Sequence, residues 1–270
     1  MLFFLLACIC APNTPVPDNE GLPEEIHEEQ LPPQNVGAKT TAMVLHQTVG
    51  ISKYMKKVDR VVQTYKHLLE RRDRDKPLIV IMGSSSSGGE SVLHSPKMKF
   101  WPLVLQELLP ETHVQSIAMG GATSWHMRHA LLKLHVNPEV CILYMGHNDG
   151  MRKSPRQTLA ELERKESPKS GEFVRWVTLP EARENVLKMM TVCKNFIAIP
   201  EYTETPKNSA RLKKYGRMLE KTEGVIFGDI YTEFASYPAG EVAGDNIYPT
   251  EKGHRLLGEF VAQKIRLILQ

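Results

Sequence analysis

Val140-Cys141-Ile142-Leu143-Tyr144-Met145-Gly146-His147-Asn148-Asp149-Gly150 is an apolar run that stops at a glycine and passes straight into a polar turn. A strand with no polar face belongs in a sheet covered on both sides by helices. The pattern repeats to either side. Short apolar runs at 78–82, 114–118, 196–199 and 225–227 alternate with helical patterns at 99–109, 124–134, 181–194, 209–221 and 250–269. This alternation predicts an α/β fold, a three-layer α/β/α sandwich around a five-stranded parallel sheet. Ligands of such sheets bind beyond the carboxyl ends of the strands, so the residues just after each run are the functional candidates.

Three of these turns share a form. Ile79-Val80-Ile81-Met82-Gly83-Ser84-Ser85-Ser86-Ser87-Gly88-Gly89 ends a strand in glycine and opens a run of hydroxyls; the Gly-Lys-Ser/Thr ending of a phosphate loop is missing. Ile117-Ala118-Met119-Gly120-Gly121-Ala122-Thr123-Ser124 again places glycine between a strand and a helix. The third is the Gly146-His147-Asn148-Asp149 turn. Each alone reads as an ordinary turn or helix cap. Nearer the C-terminus stands Asp245-Asn246-Ile247-Tyr248-Pro249-Thr250-Glu251-Lys252-Gly253-His254.

Taken in order, the four segments resemble the four motifs of the SGNH (GDSL-type) hydrolases, over roughly residues 77 to 269. The resemblance implies a serine esterase site. Ser85 falls in the nucleophile position, with Ser84 where the family has Asp. Phe100-Trp101-Pro102 resembles the start of the family's next helix. The Gly121 N–H and the Asn148 side-chain amide map onto the oxyanion donors, and Asp149 onto a residue that holds its loop. Asp245 matches the acid that orients the catalytic histidine, and Gly253-His254 matches the helix-start pair. The histidine itself is replaced by Tyr248. A phenol in water loses its proton only near pH 10, so it begins a neutral-pH reaction protonated. Substitute bases are His147, His126, His129 and His254, of which His147 stands nearest to a motif residue.

Two functions fit this pattern. One is an ester hydrolase or O-acyltransferase, acting for instance on an O-acetyl group of an envelope polysaccharide. The other is a catalytically inactive relative that binds an acylated glycan or a protein partner. The resemblance implies no cofactor, and no His/Cys spacing resembles a zinc site.

The 270 residues carry a net charge of +3, without the clustered basic charge that a nucleic-acid partner requires. No apolar run is long enough to span a bilayer. Residues 1–8 end in Leu5-Leu6-Ala7-Cys8, which looks like the lipobox of a bacterial lipoprotein, although no Lys or Arg precedes the apolar tip. Residues 9–40, rich in Pro and Glu, read as a disordered tether. The expected location is therefore the bacterial cell envelope, lipid-anchored through Cys8; the alternative is an apolar tip on a cytoplasmic protein. Residues 41–76 hold an amphipathic helix with Ile51, Tyr54, Val58, Val61, Tyr65 and Leu68 as its apolar seam, docked on the chain's own domain or on a partner helix. Residues 77–270 form the hydrolase-like domain. Within it, 151–179 interrupts the rhythm with mixed charges and reads as a solvated helix that could also wall the pocket, with Trp176 as its contact residue. Cys141 and Cys193 read as small buried hydrophobes rather than a disulfide.

Overall fold

The computed structural model of the chain describes residues 54–88, 98–151, 158–164, 177–244 and 248–270. An N-terminal helix, α1, covers 54–70. The chain then runs β1 (Leu78–Gly83), α2 (Trp101–Leu108), β2 (His113–Ser116), α3 (Ser124–Leu134), β3 (Val140–Met145), α4 (Leu159–Glu163), α5 (Leu179–Met190), β4 (Asn195–Pro200), α6 (Pro206–Glu220), β5 (Ile226–Phe227), α7 (Ile230–Phe234) and α8 (Glu251–Leu269). All strand pairs are parallel, in the order β2-β1-β3-β4-β5.

Successive strand side chains point to opposite faces of a sheet, and here both faces are apolar. Val80, Met82, Cys141, Leu143, Phe196 and Ala198 pack beneath α1, α3, α5 and α6. Ile79, Ile81, Val140, Ile142, Ile197 and Ile199 pack beneath α2, α7 and α8. The helix after β1 covers one face and the helices after β3 the other, so the chain diverges between these two central strands. A crevice at such a divergence is where open parallel sheets bind ligands.

Helix starts are fixed locally. At α5 the Thr178 N–H donates to Glu181 Oε2 at 2.8 Å and the Glu181 N–H returns to Thr178 Oγ1 at 3.4 Å, a reciprocal capping box that starts the helix before 181. At α8, Thr250 Oγ1 accepts from the Gly253 N–H at 3.0 Å. A Cβ on Gly253 would collide with the Val242 carbonyl, so only glycine lets this helix start beneath the 242–250 hairpin.

Three expectations change. The α1 seam follows Tyr54, Val58, Val61 and Tyr65, then moves to Leu69, which is 2% exposed, while Leu68 is 38% exposed. The helix docks on its own domain, with Lys133 on α3 paired to Asp59 at 2.6 Å. The charged 151–179 segment holds the five-residue α4, which is anchored rather than fully solvated: Glu163 Oε2 accepts from Trp125 Nε1 at 2.8 Å and pairs with Arg128 at 2.7 Å. Trp176 lies outside the described residues. Finally, Cys141 and Cys193 form a disulfide, because pairing of β3 with β4 brings the α5–β4 turn alongside Cys141.

Closing a loop across 52 residues removes denatured-state entropy worth about 4 kcal/mol in the chain-entropy account, with measured values of about 2–4 kcal/mol. Cys141→Ala should therefore lower the denaturation free energy by several kcal/mol. Non-reducing mass spectrometry of wild type should find both thiols protected from alkylation.

Candidate active site

Ser85 stands two residues beyond β1, in a turn closed by Gly88 N–H bonds to the Ser84 and Ser85 carbonyls at 3.0 and 3.2 Å. Its side chain meets Tyr248, whose hydroxyl donates to Ser85 Oγ at 3.1 Å. Tyr248 is placed by the hairpin: the Gly244 N–H donates to the Tyr248 carbonyl at 2.8 Å and the Thr250 N–H to the Val242 carbonyl at 3.1 Å. The residue in the histidine's place thus touches the serine. Asp245 lies outside the described residues.

Gly121 and Asn148 lie in the loops that leave β2 and β3, the two strands flanking β1. The Met119 N–H donates to the Gly83 carbonyl at 3.3 Å, which seats the Gly121 turn beside the end of β1. Gly121 has φ +64°, a left-handed conformation that favours glycine. Asn148 is buried, and among the described residues no hydrogen bond engages its side-chain amide. Asp149 Oδ1 accepts from the Ser124 N–H at 2.7 Å, placing negative charge at the α3 N-terminus and pinning the loop. Burial raises the Asp149 pKa to about 6, against the pull of its Ser124 bond.

The residue that joins these loops is Glu201, just past β4 and fully buried. Its Oε1 accepts from the Ser84 hydroxyl and, at 2.8 Å, from the Ser86 hydroxyl. Its Oε2 accepts from the His147 N–H at 2.7 Å. One carboxylate therefore holds both neighbours of Ser85 and the residue before Asn148. Burial pushes its pKa above the usual carboxylate range, while the Ser84, His147 and Ser86 bonds and the Arg211 charge pull it down. Sequence reading passed over Glu201, although it directly follows an apolar strand run, the position where parallel sheets carry functional groups. Arg211, which donates to His147 Nδ1 at 3.1 Å and to the Gly150 carbonyl at 3.2 Å, gave no signal in sequence.

The ring-nitrogen partners fix the roles of three candidate bases. A guanidinium only donates, so His147 Nδ1 is the acceptor toward Arg211 and the ring proton sits on Nε2. His126 Nδ1 accepts from the Thr123 N–H at 3.2 Å, and burial lowers its pKa to about 3 with help from Lys57. His254 Nδ1 accepts from the Trp101 N–H at 3.3 Å, serving the start of α2, and burial lowers its pKa to about 4. In all three the neutral ring presents Nε2 as a donor, not as a base. His129 lies against Glu163 at 3.3 Å, on the α3–α4 side. The group bonded to the Ser85 hydroxyl is a phenol.

Neither a protein-family profile nor a curated protein sequence matches the chain. Solved structures do. A catalytic mutant of Axe2, an acetylxylan esterase from Geobacillus stearothermophilus, superposes with a TM-score of 0.51 at 16% identity, covering 70% of this chain and 94% of that one. TesA superposes with a TM-score of 0.52 at 16% identity, covering 71% of this chain and 99% of that one. The fold is that of the SGNH (GDSL-type) hydrolases.

The buried histidines give the fold an acid sensitivity. A histidine whose folded pKa lies below its unfolded value near 6.5 contributes fully above that value and loses the contribution as pH falls toward the folded one. For His254 the loss between pH 7 and pH 5 is about 2 kcal/mol. Replacing His254→Gln, whose carbonyl can accept the same Trp101 N–H, should remove about that much of the acid dependence in denaturation at the two pH values. An unchanged dependence would show that His254 is not held neutral.

Proposed function

We propose that the chain is an SGNH-type ester hydrolase in which Ser85 attacks the acyl carbon and the Gly121 N–H and Asn148 amide receive the oxyanion. The observation that carries this reading is the 3.1 Å contact between Ser85 and Tyr248 at the carboxyl edge of β1, with the two donor loops leaving the strands on either side. Attack requires the Ser85 proton to move to an acceptor, and Tyr248 is the group in place to take it. As the Ser85 oxygen bonds to carbon, its proton passes to the phenolate form of Tyr248. The regenerated phenol then protonates the leaving alcohol. The Gly121 N–H and the buried Asn148 amide supply the remaining stabilisation.

A fluorophosphonate probe should label Ser85, and Ser85→Ala should abolish both labelling and ester cleavage. Tyr248→Phe, which has no oxygen to take the Ser85 proton, should lose most of the wild-type kcat, and Tyr248→His should turn over faster at pH 7.

The same contact supports a second reading. With its hydroxyl donating to Ser85 Oγ, Tyr248 occupies the lone pair that would attack, and the site would then bind an acylated glycan or a partner without cleaving it. Binding that survives Ser85→Ala, with no Ser85-dependent turnover at any pH, would select this reading.

We further propose an envelope location with a lipid anchor at Cys8. The Leu-Leu-Ala-Cys end, the Pro- and Glu-rich stretch behind it and the Cys141–Cys193 disulfide support it, since disulfides persist in oxidising compartments. A short acyl ester on an envelope polysaccharide is the substrate that suits this placement. Among the described residues no helix is long and apolar enough to cross a membrane. Mass spectrometry of membrane-extracted protein should find acyl mass on Cys8; an intact, unmodified Met1 would refute it.

A further inference from the structure

We propose that Lys57 is a positioning residue for the oxyanion donor: by holding the Gly120 carbonyl from α1, it aims the Gly121 N–H into the site. The proposal rests on the ester-hydrolase reading and extends it to a helix outside the four motifs.

Met119, Gly120, Gly121 and Ala122 form a tight turn closed by the Ala122 N–H to the Met119 carbonyl at 3.1 Å. Its third residue, Gly121, has φ +64°, whereas Gly120 is not in the positive region, which makes the turn type II. Types I and II differ by a rotation of the central peptide, here the one joining Gly120 to Gly121. Both torsions that flank this peptide belong to glycines, so little steric cost opposes the rotation. Something else must set its direction.

Lys57 supplies that. Its ammonium donates to the Gly120 carbonyl, and a Cβ added to Gly121 would lie 3.5 Å from the same Nζ. A trans peptide is planar, so its C=O and N–H point in opposite directions. With the carbonyl turned to Lys57, the Gly121 N–H points away from α1, and among the described residues it donates to no acceptor. The rotated peptide would instead turn its N–H toward an ammonium, which has no lone pair to receive it. It would also aim a carbonyl dipole at the developing oxyanion. Charge on the bonded carbonyl further strengthens the N–H as a donor, because linked hydrogen bonds polarise one another.

α1 is a firm base for this contact. Val58 and Val61 are buried, Asp59 pairs with Lys133 at 2.6 Å, and the Tyr54 ring meets His126 edge-on at 5.8 Å between centroids. Lys57 thus reaches the Gly121 turn from a helix packed on the body of the domain.

The test uses the full chain. Lys57→Met keeps the stem and removes the donor and its charge; Lys57→Leu, also without a donor, serves should the methionine variant fail to fold. In p-nitrophenyl acetate hydrolysis kcat should fall about tenfold to a hundredfold, part of the loss that follows removal of an oxyanion donor. KM should stay within about twofold, because substrate in its ground state does not use this donor, and Lys57→Arg should restore most of the rate. In ¹⁵N–¹H spectra the Gly121 amide should shift or double in Lys57→Met and return toward its wild-type position in Lys57→Arg. A Gly121 resonance unmoved in Lys57→Met or Lys57→Leu would overturn the proposal. If wild type shows no Ser85-dependent turnover, it is the esterase reading that fails, and the Gly121 resonance alone decides the role of Lys57.

Discussion

The site is held by one buried carboxylate. Glu201 accepts from the hydroxyls on both sides of Ser85 and from the backbone N–H that precedes Asn148. These groups come from the ends of three strands, β1, β3 and β4, whose tips are fixed by parallel pairing but whose loops are otherwise free to vary. Buried donors left without an acceptor each cost about 1–3 kcal/mol, so the three bonds act as a strong constraint on loop geometry. Asp149 repeats the device one residue beyond Asn148 by tying the same loop to α3. Asn148 lies between two anchored neighbours.

Tyr248, at the position where the sequence resemblance expects a histidine, leaves these anchors untouched. The hairpin still delivers a side chain to Ser85, and it is a hydroxyl that arrives. The imidazoles nearby do not fill the gap, because His147, His126 and His254 each spend the Nδ1 lone pair on a structural donor. What differs is the group that meets Ser85, not the placement of its neighbours, so the proposed hydrolase and the proposed binder share every contact.

Much of this was legible in the sequence because of where burial acts. Strands covered on both faces become continuous apolar runs, so β1, β3 and β4 stand out, and the glycines and polar residues after them mark the ligand edge. The expected α1 seam holds from Tyr54 through Tyr65, with Ile51 outside the described residues, and fails at Leu68: a strict three-four alternation describes a supercoiled helix, whereas a straight helix drifts and reaches Leu69 instead. The short α7 carries too few residues for a period to show. Contacts set by topology gave no local sign. Cys141 and Cys193 are 52 residues apart, and Glu201 lies 117 and 115 residues from the serines it binds. Lys57, on a helix before the first motif, reaches the Gly120 turn across 63 residues.

The most direct measurement is a crystal structure of the chain with a phosphonyl group trapped on Ser85. The account predicts the phosphonyl oxygen at about 2.7–3.1 Å from both the Gly121 nitrogen and the Asn148 side-chain nitrogen, with the three Glu201 bonds unbroken. An adduct whose oxygen reaches neither donor, or one that forms only after the Glu201 contacts open, would contradict it.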